Sequence, residues 1–208
     1  MTELKYTLIA DGSSDKNLIR IIDWSLNDLY PKIAIESQFA DFRNLQKPPK
    51  DLKSKIKMAE QLFPFQILFL HRDAESHDIE SRKLELDKQL TPEIKAVTIP
   101  IIPVRMMETW LLIDTDAIKK AAGNRNYKKS IQLPTLKMLE KETNPKSILH
   151  DLLKEVSGLK GRNLDKFNPH ETVHLLSENI DDYSPLRSLD SFIDFEKSLK
   201  KIMSTFLS

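Results

Sequence analysis

Three short acidic segments of this chain could share one chemistry: Asp11-Gly12-Ser13-Ser14-Asp15, Asp73-Ala74-Glu75 and Arg105-Met106-Met107-Glu108. Carboxylates gathered in one place repel each other, and a hard divalent cation is the usual reason they stay together. Magnesium suits such a set, because it takes oxygen ligands, needs few protein contacts and leaves positions for water and phosphate oxygens. A basic residue lies beside each segment: Lys16, Arg72 and Arg105. The planar fork of a guanidinium matches phosphate. Taken singly, each residue has an ordinary structural use. Asp15, Ser13 or Ser14 suits a helix cap, and Asp11-Gly12 is a common turn pair. Glu75 suits the positive end of a following helix, and a lone Lys or Arg is most often half of a surface ion pair.

The case for shared chemistry comes from the elements that carry these segments. Residues 5–10 (KYTLIA), 32–39 (KIAIESQF), 65–71 (FQILFLH) and 95–104 (KAVTIPIIPV) read as strands. The third is almost continuously apolar, as a central strand covered on both faces should be. Between them, residues 15–29, 51–63 and 76–90 repeat apolar residues at helical spacing. This alternation predicts a mostly parallel sheet of about four strands flanked by helices. Pro100 and Pro103 predict that the fourth strand stops pairing early or bulges. Ligands of such sheets bind beyond the carboxyl ends of the strands. The three acidic segments follow the first, third and fourth strands, so all of them fall at that edge. From Met106 onward the pattern is helical, over 106–113, 115–121, 134–142, 145–156, 169–180 and 189–207. The expected organisation is an α/β core over 1–113 with a helical region, 114–208, packed on it as one compact unit.

Composition narrows the possibilities. The chain has 208 residues, 40% hydrophobic and 30% charged, a globular balance. It contains no cysteine, which rules out disulfides, thiolate zinc sites and a cysteine nucleophile. The apolar stretch 6–10 is too short for a signal peptide or a membrane span, and a cytoplasmic location without a membrane partner is expected. The net charge of +1 does not mark a general nucleic-acid binder, so any such site needs local segregation of charge. With four glycines there is no glycine-rich nucleotide cradle, Walker A pattern or dinucleotide fingerprint.

His170-Glu171-Thr172-Val173-His174 matches the HExxH pattern of zinc proteases. It also reads as a helix start, with Asn168 as cap, Pro169 at the first helical position and Glu171 three after the cap. That reading is preferred. Trp24 and Trp110 lie in amphipathic segments and are assigned to the core. The basic loops 123–130 and 160–166 read as solvated loops.

The segments LIADGSSDKNLIRII and FLHRDAES resemble the two acidic motifs of the Toprim superfamily of topoisomerases, primases and nucleases. IPVRMMETWLLID and YSPLRSLDSFIDFEKSL resemble segments of a Toprim-like family of unassigned function, found in prokaryotic defence loci beside ABC-type ATPase genes. The resemblance implies that Asp11 takes the first acidic position, Asp73 and Glu75 the paired positions, and Glu108 the acidic position of the fourth-strand segment. Two positions depart from the family pattern: Asp11 stands where Glu is usual, and Glu75 where Asp is usual. Each keeps the charge and moves the carboxylate by roughly an ångström, a shift that matters where site geometry is tight.

The resemblance further implies Mg2+ or Mn2+ as cofactor and a metal-dependent nuclease activity on DNA or RNA. Asp73 and Glu75 would be the principal ligands. Asp11 would be a ligand or a general acid/base, and Glu108 would hold a second ion or orient water. Lys16, Arg72 and Arg105 would contact phosphate. An ABC-type ATPase partner and a role in antiviral defence follow from the same resemblance. Self-association is a further expectation for a small domain with little net charge. The alternative is a catalytically silent Toprim-like subunit that binds nucleic acid or protein within an ATPase complex.

Overall fold

The computed structural model describes residues 2–12 and 14–208. Ser13, one of the three candidate caps, lies outside the described residues. The first strand, β1 (Glu3–Ile9), leads through a 3-10 turn at Ser14–Asn17 into α1 (Leu18–Leu29). Then come β2 (Ala34–Phe39), α2 (Leu52–Leu62), β3 (Ile67–His71), α3 (Ile79–Asp87), α4 (Pro92–Ala96) and β4 (Thr98–Ile101). The four strands form one parallel sheet in the order β2-β1-β3-β4. The expected α/β class is therefore observed.

The sheet order has a direct consequence. From β1 the chain crosses to β2 on one side, then returns past β1 to β3 on the other. The crevice between the carboxyl ends of β1 and β3 is the switch point, where open parallel sheets bind their ligands. Alternation along the strands feeds two cores. Leu4, Tyr6 and Leu8 join Ile67, Phe69, Ile99 and Ile101 on one face, against Leu18, Ile21, Ile22 and Leu26 of α1. Ile9, Leu68 and Leu70 face the other way, onto Ile56 and Ala59 of α2 and Leu86 of α3.

The fourth strand is shorter than its sequence suggests. Thr91 caps α4 by accepting from the Ile94 N–H, and Pro92 opens that helix, so pairing starts only at Thr98. Pro100 sits opposite Leu70 on what is the edge strand, where a missing N–H is tolerated.

The chain continues with a 3-10 turn at Met107–Leu111, then α5 (Thr115–Ala121), α6 (Leu136–Leu139), α7 (Pro145–Ser157), α8 (Arg162–Asp165) and α9 (Pro169–Asn179). A third 3-10 turn, Ser184–Ser188, precedes α10 (Asp190–Phe206). Leu149, Leu153, Val173, Leu176, Phe192, Phe195 and Leu199 from these helices enter the core that contains Tyr6 and Phe69. Helix α10 packs against β4. The helical region thus covers one face of the sheet and its β4 edge. No helix of the described residues is long and apolar enough to cross a membrane.

Candidate metal centre

At the switch point the described structure gathers Asp15, Asp73, Glu108 and His71. His71 ends β3, and its side chain is only 2% exposed. Its Nδ1 lies 3.1 Å from the carbonyl oxygen of Ile101 on β4. A carbonyl can only accept, so Nδ1 carries the hydrogen of that bond. Nε2 therefore faces the other way, 3.5 Å from Asp73 Oδ1 and 3.9 Å from Asp15 Oδ2.

Asp73 is placed by backbone bonds that continue the β3–β4 pairing past the strands. Arg72 N–H donates to Ile101 O (3.1 Å), Ala74 N–H to Pro103 O (3.0 Å) and Glu75 N–H to Arg105 O (2.9 Å). Oδ1 of Asp73 is buried without a hydrogen-bond partner among the described residues. Burial pushes the Asp73 carboxyl up to about 6; nearby His71 opposes the rise, the negative Asp15 and Glu108 add to it, and the Met107 N–H opposes it.

Asp15 belongs to the 3-10 turn after β1. Its Oδ2 accepts from the Gly12 N–H at 2.8 Å, and Ser14 Oγ donates to Oδ1 at 3.3 Å. Asp15 is thus tied back to the strand end. Helix α1 starts at Asn17 without a side-chain cap bond. A Cβ on Gly12 would meet Asp15 Oδ2 at 3.3 Å, so the absence of a side chain at residue 12 allows this close approach.

Glu108 lies in the 3-10 turn after β4, is 7% exposed and has Lys146 Nζ 3.8 Å away. The turn is anchored by Trp110, which is fully buried and donates from Nε1 to Ser191 Oγ of α10 at 3.0 Å. Phe192 and Phe195 pack on the indole. Trp110 is a core residue, as its amphipathic setting suggests.

The other candidate residues lie elsewhere. Asp11, 60% exposed, pairs with Lys55 Nζ at 3.2 Å and Arg72 at 3.6 Å. Glu75, 69% exposed, pairs with the buried Arg82 at 3.4 Å. Arg72 is shared between Asp11 and Glu85, and Arg105 donates to the backbone oxygen of Glu75 at 3.3 Å. Lys16 lines a cavity of ≈530 Å³ with Arg20, Arg43 and His174, where Phe39 supplies apolar wall. A second cavity of ≈350 Å³ adjoins it at Phe39, Asp41 and Arg43 and reaches Asp11 and Lys55.

Two members of the cluster carry weak sequence signals. His71 is a polar terminus to an apolar strand, at the edge where ligands bind. Asp15 looks like a helix cap and is instead a turn acceptor.

In the HExxH segment, Asn168 Oδ1 accepts from the N–H of His170 (3.1 Å) and Glu171 (3.4 Å), the expected helix start. His170 packs edge-on against His150, with ring centroids 5.0 Å apart. His174 turns to Asn17, with Nδ1 2.7 Å from its Oδ1.

Among the described residues, no three His, Asp or Glu side chains stand close enough together to hold an ion without adjustment. The donor set at the switch point nevertheless fits a divalent cation in kind. It offers three carboxylates, one with a buried oxygen lacking a partner, and an imidazole nitrogen turned toward two of them.

No protein-family model matches the chain. No curated protein and no solved structure matches it significantly.

Proposed function

We propose that this chain is a metal-dependent phosphodiesterase acting on nucleic acid, with Asp73 as the central ligand and Asp15 and Glu108 beside it. One observation carries the reading: Asp73 keeps a buried carboxylate oxygen without a partner among the described residues, in the company of two further acids, at the sheet's switch point. Such an arrangement is costly unless something positive completes it. A bound divalent cation would polarise a phosphoryl oxygen and stabilise the charge that develops there.

The chain's own residues divide the remaining work. The Gly12 N–H holds Asp15 in orientation. Glu108, on its anchored turn, would accept a proton from an attacking water. Arg72, Lys16 and Arg105 are adjacent in sequence to members of the acidic segments and would supply phosphate contacts. Asp11 and Glu75 stay outside the centre, held in their ion pairs with Lys55, Arg72 and Arg82. The resemblance to Toprim-like defence proteins supports an antiviral setting and an ABC-type ATPase partner.

A second reading draws on those same ion pairs. With Asp11 neutralised by Lys55 and Arg72, and Glu75 by Arg82, the site resembles that of a silent subunit that binds nucleic acid or protein. Cleavage of mixed DNA and RNA substrates in Mg2+ and Mn2+ separates the two readings, comparing wild type with Asp73→Ala, with and without the ATPase. Metal-dependent cleavage lost in the variant supports the enzyme. Binding without cleavage in every condition supports the silent subunit.

A further inference from the structure

We infer that His71 is itself a ligand of the centre through Nε2, which makes the site selective for a borderline transition cation such as Mn2+, Co2+ or Zn2+ over Mg2+. The inference rests on the metal reading above and extends it to a residue and a selectivity that the acidic motifs do not imply.

The first argument is the fixed tautomer. Metal-binding imidazoles characteristically donate their other N–H to a carboxylate or a backbone carbonyl, which sets both ring orientation and the free lone pair. His71 has this arrangement, with Nδ1 3.1 Å from Ile101 O and Nε2 pointed at the acids. The pairing of His71 with Ile101 in the β3–β4 register fixes the backbone on both sides of the bond.

The second argument is the mismatch at Nε2. In the neutral ring this atom is an acceptor, and the atoms facing it, Asp73 Oδ1 and Asp15 Oδ2, are acceptors too. Among the described residues no donor hydrogen-bonds to Nε2, and Asp73 Oδ1 has no hydrogen-bond partner. Lone pairs converging beside an imidazole whose side chain is 2% exposed call for a positive centre between them. Two ligands about 2.1 Å from one ion stand about 3 to 3.4 Å apart in octahedral or tetrahedral geometry. The observed 3.5 Å to Asp73 is within about half an ångström of that range, and the 3.9 Å to Asp15 needs to close by about half to one ångström.

The third argument is chemical class. Magnesium favours oxygen ligands, whereas imidazole nitrogen favours the later first-row cations. A buried nitrogen that cannot turn away from the acids shifts preference toward them. A protonated His71 bridging the two acids is the competing occupant of the same space, and the experiment separates the two.

The test uses the full chain. Mn2+ is titrated by the EPR signal of the free ion and Mg2+ by calorimetry, for wild type, His71→Asn and Asp73→Asn. Asn at 71 preserves a donor at the Nδ1 position and leaves nothing at Nε2. The expected result is Mn2+ affinity weakened about 100-fold in His71→Asn, Mg2+ affinity changed less than about threefold, and both lost in Asp73→Asn. Should His71→Asn fail to fold, wild type with Co2+ still reports. A coordinated His71 gives a hyperfine-shifted Nδ1–H resonance with a slow exchange rate, as befits a buried donor. Equal Mn2+ affinity in wild type and His71→Asn, or no shifted imidazole proton, overturns the ligand role and leaves the metal reading standing. Failure of wild type to bind any of these cations overturns both.

Discussion

Glu75 and Arg105 clasp one another across the ends of β3 and β4, and both sit in the left-handed region, at φ 54° and 65°. The Glu75 N–H donates to Arg105 O at 2.9 Å, and the Arg105 guanidinium donates back to Glu75 O at 3.3 Å. Two non-glycine residues in this conformation, one on each loop, hold the backbone that presents Asp73 and Glu108. Replacing Glu75 by Gly should leave stability within about 1 kcal/mol, because relief of backbone strain offsets the lost ion pair. Glu75→Val, with a β-branched side chain in the same conformation, should cost about 2 kcal/mol. Urea denaturation of both variants checks this. Equal stability of the two would mean the loop adopts another conformation.

Asp11 and Asp15 lie four residues apart but have different surroundings. Asp11 faces Lys55 and Arg72, whereas Asp15 faces His71 and Asp73. Asp15→Asn should therefore lower metal-dependent cleavage by more than about 100-fold, and Asp11→Asn by less than about tenfold. Single-turnover rates in saturating Mn2+ provide the comparison. The reverse ranking would show that Asp11 leaves its ion pairs to enter the centre.

The raised carboxyl of Asp73 makes the metal-free protein's stability depend on pH in a defined direction. With the folded value at about 6, above the ordinary 3.8, the folded state holds this proton more tightly than the unfolded chain does. The resulting stabilisation is complete below about pH 4 and is lost as pH rises through about 6. Asp73→Asn has no such proton. Its melting temperature in EDTA should match wild type near pH 4 and exceed it by roughly 2–4 °C above pH 7. That corresponds to about 1 kcal/mol once solvent screening of the partly exposed carboxyl is discounted. A difference that does not vary with pH would remove Asp73 as the source.

Gly12→Ala tests the turn that holds Asp15. The new methyl group would press on Asp15 Oδ2 at 3.3 Å and force the carboxylate away from the Gly12 N–H. Metal affinity should fall about tenfold, while the melting temperature shifts by only a few degrees. Affinity unchanged in this variant would place Asp15 outside the centre.

Much of the scaffold was legible because its signals are local. Strand 65–71 announces itself by composition, and the helices opening at Pro145 and Pro169 by their Asn-Pro starts, each with an Asn side-chain cap. The fourth strand is shorter than its composition suggests, because Thr91-Pro92 starts a helix just ahead of it. Loop 160–166 contains the short helix α8, whose four residues are too few to show a period. The location of each acid was less legible. Whether Asp11 or Asp15 faces Asp73 depends on Lys55, 44 residues away, and on the room left by Gly12. Neither is visible in the spacing of the acids. In the sequence His71 is no more than the end of a strand, because Ile101, which fixes its ring, lies 30 residues further on.

The bond from Trp110 to Ser191 joins residues 81 apart. During synthesis, the turn bearing Glu108 therefore waits for its anchor while about 81 further residues are added. At about 5–20 residues per second this is a delay of about 4–16 s. Through that interval β1 to β4 are already translated, yet Ser191, Phe192 and Phe195, which meet the indole, are not. The turn that carries Glu108 thus gains its last anchor late, on a schedule set by the order of the chain.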